Sequence, residues 1–344
     1  MGAQFSDGAG VFELYAKKYK GVTEEMKVLV IYFSQSGNTR KVAHSIAEGA
    51  REAAEQVDVK SIKNVTYDML ENYDLIGLGS PVWKADPPNI RKFYKEAPDQ
   101  NGKHIFSFCT HGTMPGFYFP VVLPNLKKAG FTVIGSRRWY GNVVMPGMPE
   151  PYYTAGHPDE IDLEEARGFG REMAERSRRI YEGETQLIPP MPENNVNQDQ
   201  AVAIVNMLLE YGNPQGKIVR DPRKCIYPKC TRCMDNCTMD YIDLSADPQK
   251  FGSEGKCCND NHECAWCFMI CPTGAIRLEP DIMEHIKPFI GVRKPLFENI
   301  LDEAEKNGEF RRLIPVEEVG FDTPYCLAHP KRPYFKVPAK PKED

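Results

Sequence analysis

The stretch Lys27-Val28-Leu29-Val30-Ile31-Tyr32-Phe33-Ser34-Gln35-Ser36-Gly37-Asn38-Thr39 runs from an unbroken apolar, β-branched segment into a loop of hydroxyls, amides and one glycine. Six consecutive apolar or aromatic residues, Val28 to Phe33, suit a central parallel strand covered on both faces. Beyond the loop, Val42, Ile46, Ala47, Ala50 and Ala54 recur on one face of a helix predicted over Arg40 to Glu55. Strand, polar loop and helix in that order make a phosphate site: backbone N–H groups point out of the helix N-terminus, the helix dipole favours an anion, and Gly37 lets the backbone approach. The nucleoside-triphosphate loop, G-x4-G-K-[ST], and the dinucleotide fingerprint, G-x-G-x-x-G, are both absent here. A plain N-capping turn is the competing reading.

Four more strands follow on schedule. Val57 to Ile62 is the second; Tyr73 to Gly79 is the third, leading into Ser80-Pro81-Val82-Trp83. Ile105 to Cys109 is the fourth, leading into Thr110-His111-Gly112-Thr113-Met114-Pro115-Gly116. Phe131 to Trp139 is the fifth, and Leu163 to Tyr181 a closing helix. An open α/β sheet binds ligands at the carboxyl ends of its strands.

These motifs resemble the flavodoxins over roughly Met26 to Glu182, with the phosphate loop the most specific part. The resemblance implies an α/β flavodoxin-like, doubly wound, parallel five-stranded sheet that binds FMN. Its phosphate contacts fall on Ser34, Gln35, Ser36, Gly37, Asn38 and Thr39. Its ring contacts fall on Ser80, Pro81, Val82 and Trp83, and on Thr110, His111, Gly112 and Gly116. Trp83 is placed to stack on one face of the ring, and Phe117 or Tyr118 to cover the other, with a core role the alternative for either. His111 is a candidate for charging near neutral pH beside a reduced, anionic flavin, against the simpler reading of a satisfied loop histidine. Cys109 reads as a small buried thiol.

Nine of the eleven cysteines lie between Cys225 and Cys271. Cys230-x2-Cys233-x3-Cys237 repeats as Cys264-x2-Cys267-x3-Cys271, each residue displaced by 34. Short C-x2-C loops wrap the chain around one corner of a cluster and aim several sulfurs inward. Zinc knuckles favour separated C-x2-C pairs or Cys/His sets, and disulfides belong to an oxidising compartment for which no secretory signal is visible. After Cys271, Pro272 turns the chain away and Ala275-Ile276 can open a short strand.

The repeat resembles the bacterial ferredoxins carrying two [4Fe–4S] clusters. In that family the last cysteine of each motif ligates the other cluster, so the resemblance assigns Cys225, Cys230, Cys233 and Cys271 to one cube. Cys258, Cys264, Cys267 and Cys237 fall to the other, with Cys257 an alternative to Cys258. Two departures stand out: the first cysteine of each set lies farther from the second than the family's C-x2-C, and Thr238, not proline, follows Cys237.

The division that results is an N-terminal arm over 1–25, the flavodoxin-like FMN domain over 26–182, a linker and connecting helix over 183–216, a small α+β ferredoxin-like domain over 217–280, and a C-terminal helix with a Pro-rich extended tail over 281–344. Within these, Val11 to Tyr19, Ala201 to Tyr211 and Glu303 to Leu313 carry helical patterns, and five prolines follow Thr323. Cys326 stands outside any cluster spacing. A net charge of −5 over 344 residues gives no general drive toward nucleic acid, and no apolar run approaches the roughly 18 residues a membrane helix needs. Met1 to Ser6 matches the N-myristoylation pattern, which we set aside because two-cluster ferredoxins are mostly prokaryotic. In the cysteine segment the cations gather at Arg220, Arg223, Lys224, Lys229 and Arg232, either tuning the first cube, docking an acidic redox partner, or simply solvated.

The expected function is a cytoplasmic electron carrier with redox protein partners, using FMN and two [4Fe–4S] clusters. The alternatives are an FMN-dependent reductase of a small organic substrate, for which Gly141 to Glu160 would form a lid or a docking loop, and a reductive activator of an oxygen-sensitive metalloenzyme. Neither nucleic acid nor a membrane span is expected, and homo-oligomers are left open.

Overall fold

The computed structural model describes residues 25–83, 85–191, 217–251, 264–279, 282–320 and 323, with backbone only for 282–293. Five parallel strands, β1 (Lys27–Tyr32), β2 (Gln56–Ser61), β3 (Leu75–Pro81), β4 (His104–His111) and β5 (Thr132–Tyr140), form a sheet of order β2-β1-β3-β4-β5. The order reverses direction between β1 and β3, which opens a crevice at the carboxyl ends of those strands.

The alternation along β1 supplies both faces. Val28 and Val30 join one core with α1 (Asn38–Ala50) and α4 (Glu160–Tyr181). Leu29, Ile31 and Phe33 join the other with α2 (Pro88–Glu96) and α3 (Tyr118–Lys128). On the first face, Gly77 and Gly79 of β3 leave room for the Phe106 and Phe108 rings of β4; a Cβ on either glycine would come within 2.4 Å of those rings. Helices α1 and α4 meet backbone to backbone. A Cβ on Gly49 would lie 1.8 Å from the Arg167 carbonyl oxygen, and one on Gly170 1.9 Å from that of Ile46.

Element ends depart from expectation in four places. Helix α1 stops at Ala50 because the chain must turn back for β2: Glu55 and Gln56 both donate to the Met26 carbonyl. Thr110 and His111 belong to β4 and not to the loop after it, since both pair with β5. Helix α4 begins at Glu160, where Asp159 and Asp162 form a capping box. The C-terminal helix is α7 (Ile282–Lys306), so the expected helix over 303–313 exists only as its last turn.

The cysteine segment is closed by an antiparallel pair, β6 (Lys217–Arg220) with β7 (Ile276–Glu279), and carries two short helices, α5 (Arg232–Asp235) and α6 (Trp266–Ile270). Ile218, Trp266, Met269, Ile276 and Leu278 form its core. Helix α7 then seats Phe297 and Leu301 against Tyr152, Tyr153 and Phe310. The segment after β5, expected as a lid or docking loop, is therefore pinned: Tyr152 and Tyr153 are fully buried beneath α7. The expected helices over 11–19 and 201–211, the tail after Thr323, and Cys257, Cys258 and Cys326 lie outside the described residues. No helix among the described residues is long and apolar enough to cross a membrane.

Candidate functional site

The strand-end crevice is built on the turn between β1 and α1. Gly37 sits at φ +102°, the left-handed region that a side chain opposes, and its N–H donates to Ser34 Oγ at 3.2 Å. Helix α1 starts with no side-chain cap and no acidic residue in its first turn, so nothing from the protein competes for an anion at its dipole. Thr39 Oγ1 meets Thr110 Oγ1 at 2.7 Å, tying the turn to the end of β4. Asn38 Nδ2 donates to the Asn142 carbonyl at 2.8 Å, so the chain after β5 forms a further wall.

Two buried acceptors in that wall have no partner: Asn142 Oδ1 and His111 Nε2, the latter left bare because Nδ1 donates to the Gly112 carbonyl at 2.9 Å. Gly112 packs so closely on Val143 that a Cβ there would lie 2.3 Å from its methyl group. Uncapped helix, left-handed glycine and unsatisfied acceptors together fit a ligand with one phosphate and hydrogen-bond donors. Asn142 was not legible in the sequence, because only the fold brings it beside Asn38.

The other expected ring contacts divide. Ser80 is buried and Pro81 ends β3; Val82 donates to the Thr110 carbonyl at 2.9 Å. Trp83 packs edge-on against Phe33, with centroids 5.6 Å apart, and also touches the core of the cysteine segment. Gly116 takes φ +53°, and Phe117 is half-buried at the start of α3. Tyr118 does not cover a ring: it is fully buried in the core shared by α2 and α3. For His111 the structure favours the neutral loop histidine over a group that charges near neutral pH. Burial, and secondarily the charge of Arg138, lowers its pKa to about 3, so it stays neutral at physiological pH. The Cys109 thiol is buried and pushed well above its usual value.

In the cysteine segment, burial and then the neighbouring sulfurs of Cys225, Cys271 and Cys230 push the Cys233 thiol up to about 11. As thiolates these sulfurs would repel one another, a repulsion that a cationic centre would relieve. Cys237 lies in the adjacent small core with Ile242 and Leu244, against which Cys225, Cys233 and Cys267 all pack. Among the described residues no cysteine is in a disulfide. No three of their sulfurs lie within 4.8 Å of one another. Arg223, Lys224 and Lys229 are exposed beside Cys225 and Cys230, with Ile226 47% exposed among them.

The two halves meet at this site. Gln35, expected on the phosphate, turns its side chain to the cysteine segment, donating to Thr238 Oγ1 at 3.2 Å and Cys264 Sγ at 3.5 Å. Lys63, after β2, donates to the Cys237 carbonyl and pairs with Asp240 at 2.7 Å. A cleft of about 470 Å³ lies beside these contacts, lined among others by Tyr67, Asn89, Phe93 and Thr238.

One further cluster, His157, Asp159 and Asp162, has metal-ligand composition, but Arg311 occupies it. Its guanidinium binds Asp159 through two bonds of 2.8 and 2.6 Å, while His157 bonds Asp162 at 2.5 Å and the Arg311 carbonyl at 2.7 Å. This network fastens the chain after α7 to the start of α4.

Residues 29–116 match the flavodoxin domain family. An uncharacterized protein of Methanocaldococcus jannaschii is 30% identical over 156 residues, covering 43% of this chain and 98% of that protein. A flavodoxin of Aquifex aeolicus is 28% identical, covering 47% of this chain and 92% of its own. An NAD(P)H dehydrogenase (quinone) of Acidovorax ebreus is 29% identical, covering 46% and 99%. Among solved structures, a flavodoxin from the domain Archaea shares 25% identity at a TM-score of 0.36, covering 44% of this chain and 99% of that one. Each alignment takes in less than half of the chain.

Proposed function

We propose that this chain, which carries a domain of the flavodoxin family, is an electron-transfer protein pairing FMN in the strand-end crevice with two [4Fe–4S] clusters in the cysteine segment. The observation that carries the reading is the direct seating of the cysteine segment on the crevice, through Gln35, Lys63 and Trp83.

The turn Ser34 to Thr39 would hold the FMN phosphate at the uncapped start of α1, and Trp83, Gly112 and Asn142 would border the rest. Cys225, Cys230, Cys233 and Cys271 would hold one cluster; Cys237, Cys264 and Cys267, with Cys258, the other. Bound there, FMN exchanges one or two electrons and each cluster one. The protein's own work is to bury the sulfurs, to keep His111 neutral beside the crevice, and to fix the two modules so that no diffusional encounter is needed between them. Exposed Arg223, Lys224 and Lys229 around Ile226 would receive an acidic redox partner at the outer face.

The test is FMN, iron and zinc content of anaerobically purified protein, followed by a reductive titration. One FMN with about eight irons is expected for two cubes. Zinc without iron overturns the reading. A second reading, an FMN-dependent reductase of a small quinone-like substrate, is favoured by the relatives named as quinone dehydrogenases. It requires that the reduced protein turn over a quinone without any protein partner.

A further inference from the structure

Beside the packing of Trp83 on the core of the cysteine segment, two turns of the flavodoxin domain hydrogen-bond across to that segment, and both bonds reach the same part of it. Gln35 donates to Cys264 Sγ and to Thr238 Oγ1, and Thr238 Oγ1 itself lies 3.7 Å from that sulfur. Lys63 holds the Cys237 carbonyl and Asp240, with only 17% of its side chain exposed. Cys237 and Cys264 belong to one of the two ligand sets. The sulfurs of the other set, Cys225, Cys230, Cys233 and Cys271, take no hydrogen bond from the flavodoxin domain among the described residues, Cys271 Sγ meeting Thr273 of its own segment.

The orientation of the Gln35 amide follows from the chemistry of its partner. A sulfur ligating iron is a thiolate with no proton to give, so the group facing it must be the amide NH2, and the same NH2 then serves Thr238 Oγ1. A donor on a ligand sulfur, and a largely buried ammonium at the carbonyl of another ligand, both stabilise the negative charge that a cluster gains on reduction. Of the cations near the other set, Arg223, Lys224 and Lys229 face water, where screening weakens them, and Arg220 and Arg232 are half-buried within the cysteine segment itself.

We propose that Gln35 and Lys63 are positioning residues that make the cluster of Cys237, Cys264 and Cys267 the flavin-proximal one and raise its reduction potential. This rests on the electron-transfer reading above. Because Gln35 belongs to the turn assigned to the flavin phosphate, one residue faces both cofactors, and the inner cluster is tuned from the flavin side.

The test is a redox titration of the full chain, read by electron paramagnetic resonance, for the wild type, Lys63→Met, Lys63→Arg and Gln35→Leu, with iron and FMN measured first. In Lys63→Met and Gln35→Leu one cluster signal should become harder to reduce by about tenfold in its equilibrium constant, about 59 mV for one electron. Lys63→Arg should restore most of it. The same shift should persist when Cys230→Ala has removed the outer cluster. Intact iron with no shift, or a shift confined to the cluster that Cys230→Ala removes, overturns the inference and leaves the electron-transfer reading standing. Wild-type protein without iron overturns that reading itself, and the inference with it.

Discussion

Gly37 shows how a single residue sets the crevice. Its φ of +102° is open to glycine and strained for a β-branched side chain, although space alone would admit a Cβ, whose nearest neighbour is the Arg40 guanidinium at 3.8 Å. Gly37→Val should therefore deform the turn at a cost of about 1–3 kcal/mol. We expect FMN affinity to fall about tenfold or more with iron content unchanged, as read by flavin fluorescence titration and iron assay. The glycine was legible in the sequence because a phosphate turn demands it. The destination of Gln35 was not: its partners lie 203 and 229 residues away, and nothing local distinguishes an amide facing a phosphate from one facing a sulfur.

Among elements, the pairing of α1 with α4 and the fastening of the chain after α7 make separate predictions. Gly170→Ala would drive a methyl group into the Ile46 carbonyl, and a packed helix pair answers such overpacking by moving apart. A loss of about 1–3 kcal/mol in urea unfolding is expected. His157 carries the pH prediction. Burial alone would lower its pKa, but its bonds to Asp162 and to the Arg311 carbonyl raise it above the ordinary 6.5. Both ring nitrogens face acceptors, which holds the imidazolium form. Its contribution is thus fully present below pH 6.5 and lost as pH rises through the raised folded value. Asp159 runs the other way: Arg311 lowers its pKa from 3.8, so its contribution is present above 3.8 and lost in acid. The attachment should be tightest between roughly pH 4 and 6.5. Limited proteolysis of the C-terminal segment should accelerate as the pH rises above 6.5 through the raised folded value in the wild type and show no such change in His157→Gln. His104, whose pKa burial lowers to about 3, costs stability on acidification instead, which is why the comparison uses the variant and not the wild type alone.

For the whole molecule, the proposed independence of the two cofactor sites is open to test. Cys230→Ala should remove about half the iron and leave FMN bound, since Cys230 lies in the cysteine segment and none of the crevice contacts pass through it. Loss of FMN together with iron would show that the cysteine segment, not the turn after β1, supports the crevice. The strong coupling of modules at Gln35 and Lys63 makes this a demanding comparison, and it is why the substitution sits on the outer set of sulfurs.

The sequence determined what depends on neighbours along the chain. The apolar run of β1 pointed to a strand covered on both faces, and the turn Ser34 to Thr39 to a helix cap or an anion site. The five strands were legible to within a few residues because each is an apolar run ended by turn residues. Tertiary structure decided what depends on distant segments. It buried Tyr118 in the core where a ring contact was expected, lowered the pKa of His111 by enclosing it, and covered the segment after β5 with α7. It also brought Asn142 to Asn38 and Gln35 to Cys264. Local patterns fix backbone conformation and amphipathic faces, whereas the meeting of side chains across 100 or 200 residues follows from how those faces pack, and no short stretch of sequence records that.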